Sequence, residues 1–483
     1  MIKAFIDKQG RIEYYKLIIA VTFALILFDI LSIKIIPSYS IYIIILIPFL
    51  LLSIYLFFFK IELSLLIFIA LIPLFQHFSL YSIHAGDFLV APHMVIQFFL
   101  FVSVFNNFIF SYNQKNKLNW DIVDKLFILF SILSISPMIF GYYLPTDSDK
   151  RWLLFYTGIF EPIAFYFIIK YFLSKEEEFL NKLLWVLIFT SFASLIVGFI
   201  EYKGSTFNLI ELYLSRNKKG FGYHNMNLFG LQSAIIFPIN FYMIFSEKFK
   251  KYKIYAIASL IILTFLSVLT LNRGTFIVLF MQLFLLFFIK KARKLVRIFL
   301  FAGVLAGIYF SKLIMIYLFR FFNGSNGILT DPSALNRIAL WEVGLKTMIN
   351  YPVGIGADAF QYFWVKSGIT TIFFGSPHNL LLDIGVSYGI PALLVFILII
   401  FKFFQYINFL IKNDKDFTDL YKCFRISLIG YIFIGFITGG ELSHLSGFMY
   451  PNNGYTLILM IIFAIVVFQF NKVKNRHIEE WKT

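Results

Sequence analysis

Two arginines and a histidine set in turn-forming surroundings are the side chains of this chain best suited to polar chemistry beside an apolar phase. Arg273 stands in Asn272-Arg273-Gly274 and Arg337 in Asn336-Arg337-Ile338-Ala339-Leu340-Trp341. A guanidinium offers a planar fork that fits two phosphate oxygens at once, which a lysine cannot do. The histidine lies in Ser376-Pro377-His378-Asn379. Serine can cap a helix and proline suits its first position, so the pattern predicts a helix with His378 in its first turn. The positive end of a helix disfavours imidazolium, which leaves a neutral proton acceptor, and the same end receives an anion. Asn379 and Asp383 are four apart and can support each other. Asp383 is five residues from His378, about 140° round the helix, so no His-Asp dyad is expected within it.

The surrounding stretch has further punctuation. Asp331-Pro332 reads as a helix start and Tyr351-Pro352 as its stop, with Leu335, Ile338, Ala339, Leu345 and Met348 at helical spacing facing protein or lipid. Arg337 and Trp341, four apart, share another face. Gly354-Ile355-Gly356 then lets the backbone turn tightly or approach another group closely, and Phe360, Tyr362, Phe363 and Trp364 could line a sugar site or an interface. Tyr223-His224-Asn225-Met226-Asn227 is a polar cluster at the start of an apolar run, suited to helix–helix hydrogen bonding or to a site. Asp147-Ser148-Asp149 reads as a solvated loop. Glu161, beside Pro162 inside an apolar run, requires a partner or water.

The elements that must position these groups are membrane spans. Of 483 residues, 60% are apolar and 14% charged, and the mean hydropathy is +0.82, against about 25% charged in soluble domains. A soluble globular protein is excluded. Apolar windows fall at roughly 17–37, 39–59, 62–82, 89–110, 122–142, 152–173, 179–200, 223–245, 252–271, 275–289, 297–319, 389–410, 424–440 and 454–470. The expectation is an all-α polytopic membrane protein of about 12–14 transmembrane helices, a single transmembrane domain over 1–483 with a 320–388 loop region that contains short helices. The first apolar stretch, with no small-residue cleavage site after it, reads as a retained span. The single cysteine, Cys423, forms no intrachain disulfide, and no Cys/His cluster has metal-ligand spacing.

Basic residues accumulate on the cytoplasmic side. Alternate connections hold 29 of the 42 Lys and Arg, which predicts that both termini are cytoplasmic and that the 320–388 loop faces outward. Six of seven histidines, including His224 and His378, fall at or near outer span ends. The net charge of +16 is then chiefly a topology signal that anionic membrane lipid reinforces, and nucleic-acid binding is not implied.

Arg273-Gly274, then Asn336 to Trp341 with Pro352-Val353-Gly354-Ile355-Gly356, then His378-Asn379-Leu380-Leu381-Leu382-Asp383 with Gly389-Ile390-Pro391, resemble in order and spacing the O-antigen ligases and the related O-antigen polymerases. The motif-bearing part covers about 220–400. Ser387 departs from the acidic or larger polar residue that many members carry there. The resemblance implies a GT-C-type membrane glycosyltransferase of the bacterial inner membrane with its active site facing the periplasm. The donor would be a glycan on undecaprenyl diphosphate, and the acceptor a hydroxyl of lipid A-core or of a second lipid-linked glycan. Under it, His378 is the catalytic base and Arg273 and Arg337 bind the donor diphosphate. Asn379, Asp383, His224, Asn225, Trp341, Gly354 and Gly356 support them, with no metal and no cofactor. The motifs lean toward ligase over polymerase. A lipid-linked oligosaccharide flippase or other transporter is a weaker alternative, because few charged residues besides Asp29 and Glu161 lie in mid-span.

Overall fold

The computed structural model describes residues 60–74, 83–85, 88–90, 100, 120–140, 154–176, 178–202, 220–223, 226–270, 272–309, 332–357, 359–368, 375–438, 444–445 and 451–480. The windows at 17–37 and 39–59, the Asp147-Asp149 loop, His224 and Asn225 lie outside the described residues.

Long apolar runs become helices here because backbone polar groups in lipid must be satisfied within the segment. In chain order these are α1 (Ile61–Ala70), α2 (Ile122–Phe140), α3 (Glu161–Lys175), α4 (Phe179–Glu201), α5 (Met226–Phe245), α6 (Lys253–Thr270), α7 (Arg273–Phe287), α8 (Arg293–Tyr309), α9 (Pro332–Asn350), α10 (Phe360–Lys366), α11 (Leu380–Tyr388), α12 (Ile390–Asn413), α13 (Thr418–Thr438) and α14 (Gly454–Glu480). Among the described residues seven helical segments are long and apolar enough to cross a membrane, and the protein is a polytopic helical membrane protein. At 15 residues α7 is about 22 Å long, short of a ~30 Å hydrocarbon core. The described residues also include two short antiparallel ribbons, β1 (Ile83–Ala85) with β2 (Phe88–Val90) and β3 (His444–Leu445) with β4 (Pro451–Asn452). The apolar window expected from 89 therefore begins in a strand. The window expected at 424–440 begins earlier, at Thr418, and that at 454–470 continues to Glu480.

Lipid tails are as apolar as leucine, so helices in a bilayer associate through close packing and interhelical hydrogen bonds. The centre of the bundle, α5, uses both. Gly230 faces Thr275 of α7 and Ile434 of α13, and Gly430 of α13 faces Gln282 of α7. Gln282 donates to the Ala234 carbonyl at 2.6 Å, and Ser427 donates to the Ile235 carbonyl at 2.7 Å. The Ser259 hydroxyl of α6 lies 3.0 Å from Ser191 of α4 and 3.1 Å from Asn240 of α5.

Glu161 finds its partner across 292 residues of chain. A π-helical segment, Tyr156–Phe160, precedes α3, and the Glu161 N–H donates to the Tyr156 carbonyl five residues back. In that register the Thr157 carbonyl would receive from residue 162, which is proline and has no N–H. Asn453, just ahead of α14, supplies the donor, with its amide nitrogen 2.6 Å from the Thr157 carbonyl and 3.0 Å from Glu161 Oε2.

At the other end of α3 a polar staple joins three helices. Asp121 accepts from the Val123 N–H at 2.9 Å while Asp124 accepts from the Asp121 N–H at 2.6 Å, a reciprocal cap on α2. The same two carboxylates receive Tyr166 at 2.6 Å, the Lys170 ammonium, and Tyr406 of α12 at 2.7 Å. Lys170 and Asp124 are both buried. Removing one member of a buried pair costs about 3–5 kcal/mol, because the other charge is left uncompensated. Lys170→Met should therefore lower the thermal midpoint of the purified protein sharply, and Tyr406→Phe only slightly. Equal midpoints for Lys170→Met and wild type would show that the staple contributes nothing.

Candidate functional site

Two of the sequence elements that could do chemistry meet at one end of α13. Asn272 caps α7 by accepting from the Gly274 N–H at 2.9 Å, and its amide donates to Asn227 of α5 at 2.7 Å. Asn227 thus takes the helix–helix role open to it from sequence. Arg273 follows the cap directly and is partly exposed. Its guanidinium belongs to the residue at the positive end of the helix, an unfavourable position for a cation unless an anion joins it. Two residues on, Thr275 meets Gly230 beside Ile434 of α13.

The adjacent residue of α13, Gly435, faces Leu380, the first residue of α11, with a virtual Cβ only 3.1 Å from the Leu380 Cβ. The starts of α7 and α11 therefore flank a single turn of α13, which places Arg273 and the His378 turn at the same end of the bundle.

The His378 turn differs from the expectation. Asn379, not Ser376, is the N-cap of α11, its side-chain oxygen accepting from the N–H groups of Leu381 at 3.1 Å and Leu382 at 3.3 Å. His378 consequently stands before the helix and not in its first turn. Its φ of +52° lies in the left-handed region, which histidine, with Asn and Asp, enters more readily than most residues. Ser376 holds this conformation by accepting the His378 N–H at 3.2 Å. Histidine and asparagine thus divide the tasks: one projects from a tight turn while the other closes the helix. Asp383 is buried within α11.

Three backbone hydrogen bonds lock the far end of α11, where it meets α12, to the preceding loop. Ile355 donates to Val386 at 2.9 Å, Gly356 to Ser387 at 3.0 Å, and Ile390 to Pro352 at 2.8 Å. Gly354, Gly356 and Gly389 have φ of +94°, +90° and +92°. A Cβ on Gly354 would lie 2.7 Å from the Gly389 nitrogen, and one on Gly389 would lie 2.5 Å from the Val353 carbonyl carbon. The glycines let two backbones touch at the α11–α12 joint. Ser387, at the position where the sequence departs from the motif, enters this joint through its carbonyl.

α9 packs on α11 from outside, with Gly344 against Pro377 and Gly385 against Met348. Its inward face is Leu340, Val343 and Thr347, which with Ile355, Phe360, Trp364 and Val386 belong to or border a small second core. The aromatic stretch is divided: Phe360 and Trp364 are core residues, while Tyr362 is exposed. The apolar spacing expected for α9 is divided in the same way, since Ile338 and Leu345 are exposed although they share the helical pattern. Arg337 lies two turns before Gly344, about 10 Å along the axis, and Trp341 is exposed one turn from it. Arg337 therefore sits on the helix that packs against the His378 turn through Gly344 and Pro377.

Sequence reading missed the roles of Asn272 and Asn453. Asn272 carried a legible signal, an amide one residue before a helix. Asn453 carried none, because its role arises from Pro162 in another helix.

The cap makes a specific prediction. Asn379→Ala should destabilise the start of α11 by about 1 kcal/mol, and Asn379→Asp, which keeps the acceptor oxygen, should restore the thermal midpoint. If Asp is as unstable as Ala, the cap is not the contribution of this residue.

A protein of Rickettsia felis provisionally named a polysaccharide ligase is 30% identical over 118 residues, covering 23% of this chain and 28% of its own length. The similarity thus spans a little over a quarter of that relative. Residues 258–397, from within α6 to the first turns of α12 and including Arg273, Arg337 and the His378 turn, match the O-antigen ligase family model.

Proposed function

We propose that the protein is a metal-independent membrane glycosyltransferase that moves a glycan from undecaprenyl diphosphate to a hydroxyl of an acceptor glycolipid, lipid A-core. The proposal places the reaction on the periplasmic side of the bacterial inner membrane, with both termini cytoplasmic. The observation that carries it is the juxtaposition just described: an arginine at the positive end of α7 and a strained histidine turn at the start of α11, on either side of one turn of α13. The family match over the same residues supports the reading.

The chemistry follows from these groups. The acceptor hydroxyl oxygen attacks the anomeric carbon as the bond from that carbon to the diphosphate oxygen breaks, and the electron pair leaves with the undecaprenyl diphosphate. Arg273, reinforced by the helix end and by Arg337 from α9, stabilises the departing anion. Neutral His378 accepts the hydroxyl proton as the new bond forms, an effect of about 10²–10⁴-fold. Asn379 and Asp383 support the His378 helix, the Gly354 and Gly356 backbone fixes its angle, Trp341 supports Arg337 from one turn along α9, and His224 and Asn225 complete the polar surroundings. A GT-C-type architecture and a single domain with the reaction loop at 320–388 belong to the same proposal.

Purified protein with the lipid-linked donor and lipid A-core should form a conjugate, with little product when the acceptor is omitted. A ladder of longer lipid-linked glycan without lipid A-core would instead assign a polymerase using a second lipid-linked unit. His378→Ala should cut transfer by about 10² or more while donor binding persists, and His378→Gln should be nearly as inactive. Arg273→Lys should lose most transfer despite keeping its charge. A chelator should have little effect. Wild-type transfer by His378→Gln would mean that the residue positions the acceptor and takes no proton.

A further inference from the structure

The outward half of α9 is itself divided. Ile338, Trp341, Leu345 and Ile349 are 52%, 36%, 47% and 63% exposed, and at 100° per residue they form one strip about 80° wide. Beside it Glu342, Lys346 and Asn350 form a second exposed strip of about the same width. There Lys346 donates to Glu342 at 2.7 Å, and that hydrogen-bonded ion pair holds the Glu342 carboxyl below the usual carboxylate range. The third side is the buried face of Leu340, Val343 and Thr347. A helix in water would have no need of the apolar strip, and one immersed in hydrocarbon could not carry the ion pair.

The apolar strip leads along the chain toward the exposed side of a span. It runs from Ile349 to exposed Val353, beside the joint where Ile390 donates to Pro352. Beyond the joint α12 exposes Leu394, Ile397, Leu398 and Phe401 along a span, and these side chains face lipid. The occupant of the strip is therefore the same lipid.

We propose that α9 lies in the plane of the membrane surface, with Ile338, Trp341, Leu345 and Ile349 among lipid acyl chains and the Glu342–Lys346 pair in water, as in-plane amphipathic helices do. Trp341 then serves as an interfacial anchor. Because Gly344 of the same helix abuts Pro377, the float sets the depth of the His378 turn at the headgroup level. The placement rests on the helix faces alone, and only its consequence for catalysis rests on the proposed transfer reaction.

The full-length protein with Cys423→Ala, carrying single cysteines by Leu345→Cys, Ile349→Cys, Lys346→Cys or Asn350→Cys, is labelled with an environment-sensitive fluorophore and placed in phosphatidylcholine nanodiscs. Probes at Leu345 and Ile349 should be quenched by acyl-brominated lipid and lose quenching by aqueous iodide, with the reverse at Lys346 and Asn350. In the unlabelled protein, Trp341→Phe should remove part of the tryptophan emission that brominated lipid quenches, a readout that does not depend on the labelled variants folding. Iodide access at all four probes, or no change on Trp341→Phe, would overturn the proposal. So would protection of Leu345 and Ile349 that arises only when an acceptor glycolipid is added, which would make the strip a docking surface for that molecule.

Discussion

Two stretches of backbone meet without side chains between them where Pro352–Gly356 crosses Val386–Ile390, and the placement of α9 and α11 follows from that contact. Three hydrogen bonds hold it, and they can form only because Gly354 and Gly389 have no Cβ to push the strands of chain apart. The joint sets the angle between α11 and α12, and α11 in turn begins at the Asn379 cap that leaves His378 outside the helix. α9, docked on α11 through Gly344 and Gly385, takes its place from the same contact. A small rigid loop core is thereby tied to a span.

The bundle supplies the second half of the arrangement. Close approaches at Gly230, Gly430 and Gly435 bring α5, α7, α11 and α13 together near one end, while Gln282 and Ser427 cross-link the spans by donating to backbone carbonyls. Such bonds matter in lipid because the apolar surfaces gain nothing by leaving a solvent that is equally apolar. The staple of Asp121, Asp124, Tyr166, Lys170 and Tyr406 fixes the opposite ends of α2, α3 and α12. α12 is therefore held at both ends, by the staple below and by the glycine joint above.

Spans such as 179–200 and 252–271 were legible because a long apolar run admits one solution in lipid, and the structure places α4 and α6 there. Helix α9 was legible from its punctuation. What could not be read was competition between equals. Serine and asparagine cap about equally well, so the choice of Asn379 over Ser376, and with it the left-handed His378, depends on the tertiary joint. Helical spacing identified Ile338 and Leu345 as apolar positions of α9 but not that they are exposed, since burial depends on where α11 lies. Pairings over long chain separations, such as Asn453 with Thr157 and Glu161, leave no local trace. The convergence of α7 and α11 on one turn of α13 is of the same kind.

In the proposed reaction the glycine joint holds the His378 turn in register with Arg273. The most direct measurement is the transfer rate of purified Gly389→Ala in nanodiscs at saturating lipid-linked donor and acceptor, with helicity confirmed by circular dichroism. A Cβ there would meet the Val353 carbonyl, and displacement of a reacting group by about 1 Å costs on the order of 10²-fold in rate. A loss of that size in a protein that remains helical is the expected result. A folded Gly389→Ala variant that transfers at the wild-type rate would contradict it.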